Sequence, residues 1–220
     1  KEQIAGEYQP GWMLLSYGKK VSVSSSLEGY PAENIVDEDA RTAWVAQSNR
    51  DMEWAQVDLQ RLSSIHAIQV NFDEYGANQK GAVSGVYQSY LIYASVNGED
   101  WSLVVDYGTK KTDTPHDYIE FEEPFKARYI KLQNKEYMVS ENFSVRDLRI
   151  FGKGQGSTPR AVNDFTVERD EADPCKARLC WEAVPDAQGY IVRYGIAGDK
   201  LYNNFQVMGE NTLEIGSLNK

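Results

Sequence analysis

Cysteine and histidine are scarce in this sequence, and redox, zinc and nucleophilic sites depend on them. There are two cysteines, Cys175 and Cys180, and two histidines, His66 and His116. The cysteine spacing fits neither a CxxC redox pair nor a zinc pattern, and it would place the thiols on opposite faces of a strand. We interpret both as free structural thiols. Neither histidine has a serine or cysteine motif nearby, so we interpret both as structural or surface groups.

Long apolar runs and an excess of basic residues are also lacking. The run WMLL at Trp12–Leu15 is too short to span a membrane, and no basic-then-apolar leader precedes it. We therefore expect a mature protein or an excised piece of one. The 33 acidic residues outnumber the 23 basic ones, which gives a net charge of -10. Such a surface repels phosphates, so nucleic acid and membrane partners are disfavoured.

Helical periodicity is almost absent, and short alternating apolar runs replace it. This pattern, with turn residues between the runs, predicts an all-β antiparallel sandwich or barrel. The dipeptide Asn97-Gly98 lies between two runs and predicts a tight hairpin turn. The clearest runs are Ala55, Val57, Leu59; Ile68, Val70, Phe72; Tyr90, Ile92, Ala94, Val96; Ile119, Phe121; Ile130, Leu132; and Leu148, Ile150.

A change of composition divides the chain. The stretch GKGQGSTP at Gly152–Pro159 has nothing to bury and predicts an exposed linker. We assign residues 1–17 to the tail of a preceding element, 18–153 to a first domain, 154–160 to the linker and 161–220 to a second domain. About five strand-like pieces follow the linker.

Five ordered motifs resemble one family. They are PAENIVDEDARTAW from Pro31, EWAQVDL from Glu53, YASVNGEDW from Tyr93, ARYIKL from Ala127 and VRDLRIFG from Val145. Together they resemble a coagulation factor V/VIII type C domain, also called a discoidin domain. The resemblance implies an eight-stranded jelly-roll β-sandwich, and bacterial members of the family are often family 32 carbohydrate-binding modules.

Two further resemblances concern the surroundings of this domain. Two segments, WMLLSYGKKVSVSS from Trp12 and TPHDYIEF from Thr114, are similar in sequence to the region after the catalytic domain of family 43-like glycoside hydrolases of Bacteroidetes. The segment from Leu179 to Gly195 resembles a fibronectin type III domain, which has seven strands in roughly 100 residues. The second domain would then be C-terminally incomplete, with its core around Leu179 and Trp181 partly exposed. We therefore expect a piece of a longer extracytoplasmic enzyme whose catalytic domain lies upstream.

The acidic stretch Pro31–Trp44 permits two interpretations. It is either a loop that binds a hard cation or a solvated acidic turn held by hydrogen bonds. The family resemblance implies a structural calcium ion, held at positions matching Asn34, Asp37, Asp39, Thr42 and Asp147. Glu38 replaces a usual glycine and would strain a positive-φ turn, and Asp147 replaces a usual glutamate and has a shorter reach. We interpret the Glu33 and Glu38 side chains as solvated.

Candidate sugar ligands are polar and aromatic residues that we expect on loops, where hydroxyl hydrogen bonds and stacking combine in a shallow site. The alternative for each is an ordinary loop residue. Trp44 and Trp54 adjoin strands, so we predict that they pack in the core. The candidates are Asn49, Arg50, Tyr75, Tyr87, Tyr137 and Phe143.

These observations favour a noncatalytic accessory region of a secreted glycoside hydrolase, which binds plant-type glycan or fixes the geometry of its neighbour. One alternative is glycoside hydrolase activity within the chain, but no motif singles out a carboxylate pair for catalysis. Another is discoidin-type adhesion to a membrane or protein. The family uses exposed apolar spikes ringed by basic residues for this, and QSNRDME and DEYGANQKG lack that pattern.

Overall fold

A computed structural model describes residues 11–77, 85–154, 160–185, 187 and 189–218. The chain separates into two compact units, Lys1–Gln155 and Gly156–Lys220, and the division falls within the predicted linker. Most of that linker, and residues 1–10 of the predicted N-terminal tail, lie outside the described residues.

The first unit is an eight-stranded antiparallel jelly-roll sandwich, which confirms the predicted fold class. A 3₁₀ helix, Ala32–Val36, lies between the second and third strands. The strands are β1 Met13–Leu14, β2 Lys20–Val23, β3 Trp44–Val45, β4 Trp54–Phe72, β5 Gln88–Ser95, β6 Ser102–Tyr107, β7 His116–Tyr137 and β8 Ser144–Gly154.

The two longest strands, β4 and β7, form a ribbon that folds over at one corner. Asp58 pairs with Tyr129 and the next pair is Ser63 with Ala127, so residues 59–62 of β4 oppose one residue of β7. Such an insertion bends a ribbon sharply. Gln60 adopts the left-handed conformation there, with a φ of 65°.

The ends of this ribbon return to the same end of the sandwich. The Asn134 N–H donates to the Glu53 carbonyl at 2.8 Å, and the Tyr137 hydroxyl donates to the Asp73 carbonyl. The loops that precede and follow β4 therefore lie close together.

The core lies between the layers and contains the inward residues of every long strand. Trp44 is fully buried, as predicted, whereas Trp54 is half-buried. The predicted alternation of Ala55, Val57 and Leu59 is confirmed, because all three are buried. Ile68, Val70 and Phe72 are buried as well, but they belong to the same strand rather than to a separate one.

The predicted Asn97-Gly98 hairpin joins β5 to β6, but residues 96–101 make it longer than a tight two-residue turn. Gly98 supplies the positive φ, at 82°. The Asn97 Oδ1 atom accepts the N–H groups of Glu99 and Asp100, each at 2.9 Å, and so closes the turn through its side chain.

The second unit contains two small antiparallel sheets. Its strands are β9 Thr166–Arg169, β10 Ala177–Cys180, β11 Gly189–Tyr194, β12 Asn203–Met208 and β13 Thr212–Ile215. The first sheet has the order β13-β10-β9 and the second pairs β11 with β12. The expected exposure of the core is wrong for Leu179 and Trp181, which are 3% and 4% exposed. Both cysteines are free, as predicted.

Candidate functional site

One end of the first unit is built from loops that the strands hold in fixed positions. These loops comprise residues 24–31 after β2, 46–53 after β3, 73–77 after β4 and 138–143 before β8. We call this surface the loop end. Loops on a rigid sandwich are common positions for binding residues, because they vary without disturbing the core.

The Glu53 carboxylate ties two of these loops together. It accepts the hydroxyl of Ser25 at 2.8 Å and that of Ser48 at 2.7 Å, and the Ser24 hydroxyl donates to it as well. Partial burial raises the pKa of Glu53, but the three serine hydroxyls more than offset this and lower its pKa overall. Glu53 is therefore an ionised anchor for the loop end.

A second anchor surrounds Asp73. Its carbonyl accepts the hydroxyl of Ser144 at 2.8 Å as well as that of Tyr137, and its carboxylate pairs with the Arg146 guanidinium at 2.5 Å. The Arg146 side chain is 34% exposed. Its Nε atom is buried and has no hydrogen-bond partner among the described residues. The ion pair thus combines a fixed position with access to solvent.

An aromatic pair joins Tyr75, two residues after Asp73, to Tyr30 of the 24–31 loop. The rings of Tyr30 and Tyr75 meet edge to face, with centroids 4.9 Å apart and planes inclined by 70°. Both side chains are half-buried, so each ring presents part of its surface to solvent. This arrangement offers apolar ring surface two residues from a paired carboxylate.

Two of the predicted sugar ligands do not lie on an exposed loop, and that prediction is wrong for them. Tyr137 is 1% exposed and Phe143 is 0% exposed. Tyr137 ends β7 and packs against Phe143 at 5.3 Å between ring centroids, and Phe143 also meets Trp44 at 5.8 Å. Their rings fill the core beneath the loop end, because burying an aromatic ring is more favourable in free energy than leaving it in solvent.

The other four predicted ligands differ in what they can contact. Arg50 is exposed. The Asn49 amide donates to the carbonyls of Tyr137 and Ser140, at 3.3 and 2.8 Å, and so supports the 138–143 loop. The Tyr87 ring has the Lys111 ammonium 4.3 Å from its centroid, and its hydroxyl donates to Glu136 at 2.7 Å.

Of these four, only Tyr75 joins the aromatic pair. Sequence reasoning missed its partner Tyr30 and the paired Arg146. A signal for Tyr30 exists, because an aromatic residue between Gly29 and Pro31 is placed on a turn. Arg146 lies within a strand and carries no such signal.

The acidic stretch forms a compact hydrogen-bonded turn. The Thr42 hydroxyl donates to Asp37 Oδ2 at 2.8 Å and lies 3.0 Å from the Asp39 carbonyl oxygen. The Asn34 amide donates to the Ala43 carbonyl at 2.8 Å. One carboxylate, one hydroxyl and one carbonyl oxygen therefore converge, and calcium accepts this mixture of ligands.

Other predicted calcium ligands have protein partners. Arg41 pairs with the Asp39 carboxylate at 2.8 Å, and this side-chain hydrogen bond lowers the pKa of Asp39 to about 2. Asp147 is 8% exposed and accepts the amide of Asn71 at 2.8 Å. The Asp37 carboxylate, the Thr42 hydroxyl and the Asp39 carbonyl oxygen are ligand types that calcium accepts, whereas the Asp39 carboxylate is paired with Arg41.

Glu38 is exposed, as interpreted, but its side chain is also ion-paired. Its carboxylate forms a two-point ion pair with Arg149 of β8, at 3.0 and 2.9 Å. Glu38 adopts a φ of 61°, at the position where the family usually has glycine. The ion pair fastens the acidic turn to the sandwich.

No group of three or more His, Cys, Asp or Glu side chains among the described residues is arranged to hold a metal ion. The same residues include no helix long and apolar enough to cross a membrane.

A cleft of about 380 Å³ opens in the second unit and is lined by apolar residues such as Phe165, Trp181 and Tyr190. The Trp181 indole N–H is buried there without a partner among the described residues. The lining is mainly apolar, and Arg160 and Arg193 are its charged members.

Comparison with known proteins gives matches at both the sequence and the structural level. Lactadherin from Rattus norvegicus is 33% identical over 110 residues, which cover 47% of this chain and 25% of that protein. Lactadherin from Mus musculus is 32% identical over 110 residues, covering 47% of this chain and 23% of that protein. The chain thus spans about a quarter of the length of these curated relatives.

Solved structures share the fold at low identity. Chitosan-binding module 1 of a chitosanase/glucanase from Paenibacillus sp. IK-5 matches with a TM-score of 0.54 and 20% identity, covering 64% of this chain and 99% of that chain. The family 32 module of Clostridium perfringens NanJ, solved with galactose, matches with a TM-score of 0.50 and 19% identity, covering 64% and 98%.

The sequence model of the F5/8 type C domain family matches residues 20–147, which are more than half of the chain. This match shows the family. The resemblance expected from the five motifs is thereby confirmed for the first unit. The chain belongs to the F5/8 type C, or discoidin, domain family.

Proposed function

We propose that this chain is a noncatalytic carbohydrate-binding region and that its first unit binds glycan at the loop end. The observation that carries the proposal is the Tyr30–Tyr75 aromatic pair next to the Asp73–Arg146 ion pair. Structural neighbours support it, because their descriptions include a chitosan-binding module in complex with chitotriose and a family 32 module in complex with galactose.

The chemistry of this surface suits a sugar. A pyranose ring has an apolar C–H face that packs on aromatic rings, and its hydroxyl groups donate to a carboxylate and accept from a guanidinium. The Glu53 and Asp73 anchors hold the surrounding loops before ligand arrives, so little order must be gained on binding. We expect a shallow surface of this kind to bind the end of a glycan chain. The expected dissociation constant is on the order of a millimolar.

The wider context is part of the same proposal. We place this region in an extracytoplasmic glycoside hydrolase, downstream of a family 43-like catalytic domain and acting on plant-type polysaccharide. The net charge of -10 does not oppose an uncharged polysaccharide, whereas it repels phosphate-rich partners. The second unit, with one three-stranded and one two-stranded sheet, would be a partial fibronectin type III-like spacer.

Alanine substitution of Tyr30 and of Tyr75 tests the glycan site. Each change should weaken binding of the best ligand from a neutral plant glycan array at least about fivefold, because stacking contributes roughly 1 kcal/mol per ring. Tyr118→Ala is the control, since Tyr118 is 50% exposed but lies on β7 away from these loops. Binding that survives both loop changes, or that falls equally in the control, would contradict the proposal.

A structural calcium ion is the second component. Asp37, Thr42 and the Asp39 carbonyl would hold it, with Asp147 completing the set only if it releases Asn71. Calcium bound to the folded state should raise the melting temperature as its concentration increases, and chelator should reverse this. Asp37→Asn should abolish the response and Glu99→Gln should preserve it. An identical melting temperature in calcium and in chelator would refute the site.

Adhesion is the second candidate function, and the exposed methionines favour it. Met52 is 62% exposed and Met138 is 49% exposed, in two different loops of the loop end. QSNRDME was expected to lack exposed apolar spikes ringed by basic residues, yet it exposes Met52 two residues from the exposed Arg50. Flotation with vesicles of phosphatidylserine and phosphatidylcholine tests this candidate. Recovery that depends on Met52 and Met138 would favour it over glycan binding.

A further inference from the structure

The sheet that contains the first half of β4 presents polar, apolar and aromatic side chains on the side opposite the core. Strand register places residues of β2, β4, β7, β5 and β6 in rows across this side, which we call the outer face. The central row consists of Ser22, Gln56, Lys131, Tyr93 and Leu103. Four strand spacings of about 4.8 Å make this row roughly 19 Å long, enough for several sugar rings.

Lys131 lies at the centre of this face between two aromatic rings. Its ammonium is 4.0 Å from the centroid of the Trp101 ring and 5.6 Å from that of Tyr93. Leu103 is 47% exposed, and Tyr93 and Trp101 are half-buried, so the row is accessible to a ligand.

No acidic side chain among the described residues pairs with Lys131, whereas Arg128, Lys111 and Lys135 each have one. The Arg128 guanidinium pairs with Asp58 in the adjacent row, at 2.8 and 2.9 Å. The ammonium of Lys111 pairs with Glu136 and that of Lys135 with Asp51. Lys131 makes no ion pair among the described residues, and partial burial lowers its pKa without a neighbouring charge to offset the effect.

We propose that the outer face is a second binding surface, separate from the loop end, for a glycan chain that carries carboxylate groups. The uronate carboxylate would pair with Lys131, and the apolar faces of the pyranose rings would pack against Tyr93, Trp101 and Leu103. An anion at this position would stabilise a partly desolvated ammonium that the protein itself leaves without a counterion.

A uronic acid matches the face better than a flexible anion does. Its carboxylate is attached directly to the pyranose ring, so the charge and the apolar C–H surface reach the protein as one rigid group. Ammonium and aromatic faces lie within 6 Å of each other here, and a single sugar residue spans a similar distance.

Titration calorimetry with a hexamer of α-1,4-linked galacturonic acid tests the proposal, with the fully methyl-esterified hexamer and poly-glutamate as comparison ligands. The acid hexamer should bind at least about tenfold more tightly than either, because only it combines charge with sugar faces. Lys131→Gln should remove this preference and Lys131→Arg should keep it. The control Lys111→Gln removes a lysine that is already paired with Glu136, and it should change nothing.

The loop-end variant Tyr75→Ala distinguishes binding at the outer face from binding at the loop end. Binding of the acid hexamer should persist in Tyr75→Ala and weaken in Tyr93→Leu, with melting temperatures used to show that each variant is folded. Equal affinity for the esterified hexamer would overturn the role of the carboxylate. Equal affinity for poly-glutamate would show that the face recognises an acidic polypeptide instead. Loss of binding in Tyr75→Ala, or its persistence in Lys131→Gln, would place the ligand elsewhere.

Discussion

Replacing Glu53 by glutamine should loosen the loop end without changing side-chain volume. In the native protein this carboxylate receives the hydroxyl groups of Ser24, Ser25 and Ser48, which come from two different loops. Glutamine keeps one acceptor oxygen and replaces the other with an amide group. The variant thus removes the charge and at least one of the accepted hydrogen bonds.

The expected cost follows from these contacts. A hydrogen bond to a charged acceptor contributes about 1 kcal/mol more than a neutral one, so three of them give an upper limit of about 3 kcal/mol. Glu53 is only half-buried, and solvent screening reduces this to about 1–2 kcal/mol. For a unit of this size, that destabilisation lowers the melting temperature by roughly 3–6 °C.

The pH dependence supplies the sharper measurement. The pKa of Glu53 is lowered in the folded protein, so its contribution is present above the ordinary glutamate pKa of about 4.3 and is lost as the pH falls through the folded value. Thermal unfolding followed by circular dichroism should show the full difference between wild type and Glu53→Gln at pH 7 and a smaller one near pH 3. Glu99→Gln, at an exposed turn, is the control. A difference that is absent at pH 7, or equal at both pH values, would refute this reasoning.

Three other substitutions test the packing. Phe143→Ala should cost about 3–5 kcal/mol in urea unfolding, because the ring is fully buried, and a cost below about 1 kcal/mol would contradict the core assignment. Asp117→Asn should cost about 2–3 kcal/mol, since it leaves the Lys110 ammonium, 2.5 Å away, without its partly buried counterion; Asp173→Asn, at an exposed pair, should cost almost nothing. Gly152→Ala should destabilise by about 3 kcal/mol or prevent folding, because its Cβ would lie 2.1 Å from the Ser64 carbonyl oxygen; Gly108→Ala, which meets only side chains, should be tolerated.

The sequence predicts the strand content well, but it does not predict the strand lengths. Ala55, Val57 and Leu59 alternate in one phase, and Ile68, Val70 and Phe72 alternate in the other. The insertion at residues 59–62 and the register shift between Ile65 and Ala67 change the phase, so one strand has the pattern of two. A pattern of period two cannot distinguish a phase change inside a strand from a break between strands.

The candidate site was predictable only in part, because the exposure of a side chain depends on how segments distant in sequence pack against it. Tyr137 and Phe143 are surrounded by polar residues in KEYMVSENF, yet both rings turn inward at the ends of strands. Arg146 is recognisable only through its pairing with Asp73, which is 73 residues away in the chain. The acidic turn was predictable, because Asp37, Asp39 and Thr42 are close in sequence and their hydrogen bonds are local.

The folded β4–β7 ribbon also constrains the order in which the first unit can assemble. Its innermost pair, Asn71 with His116, joins residues 45 apart, and its outermost pair, Trp54 with Gln133, joins residues 79 apart. Closing a chain loop costs more entropy as the loop lengthens, so pairing should start at Asn71 and proceed toward Trp54. The β5–β6 hairpin lies within the intervening segment and can form first from local contacts. Because few native contacts are local, this unit should fold on the slow, millisecond-to-second timescale of β-sandwiches, and the bend at Gln60 should form before the loop end closes.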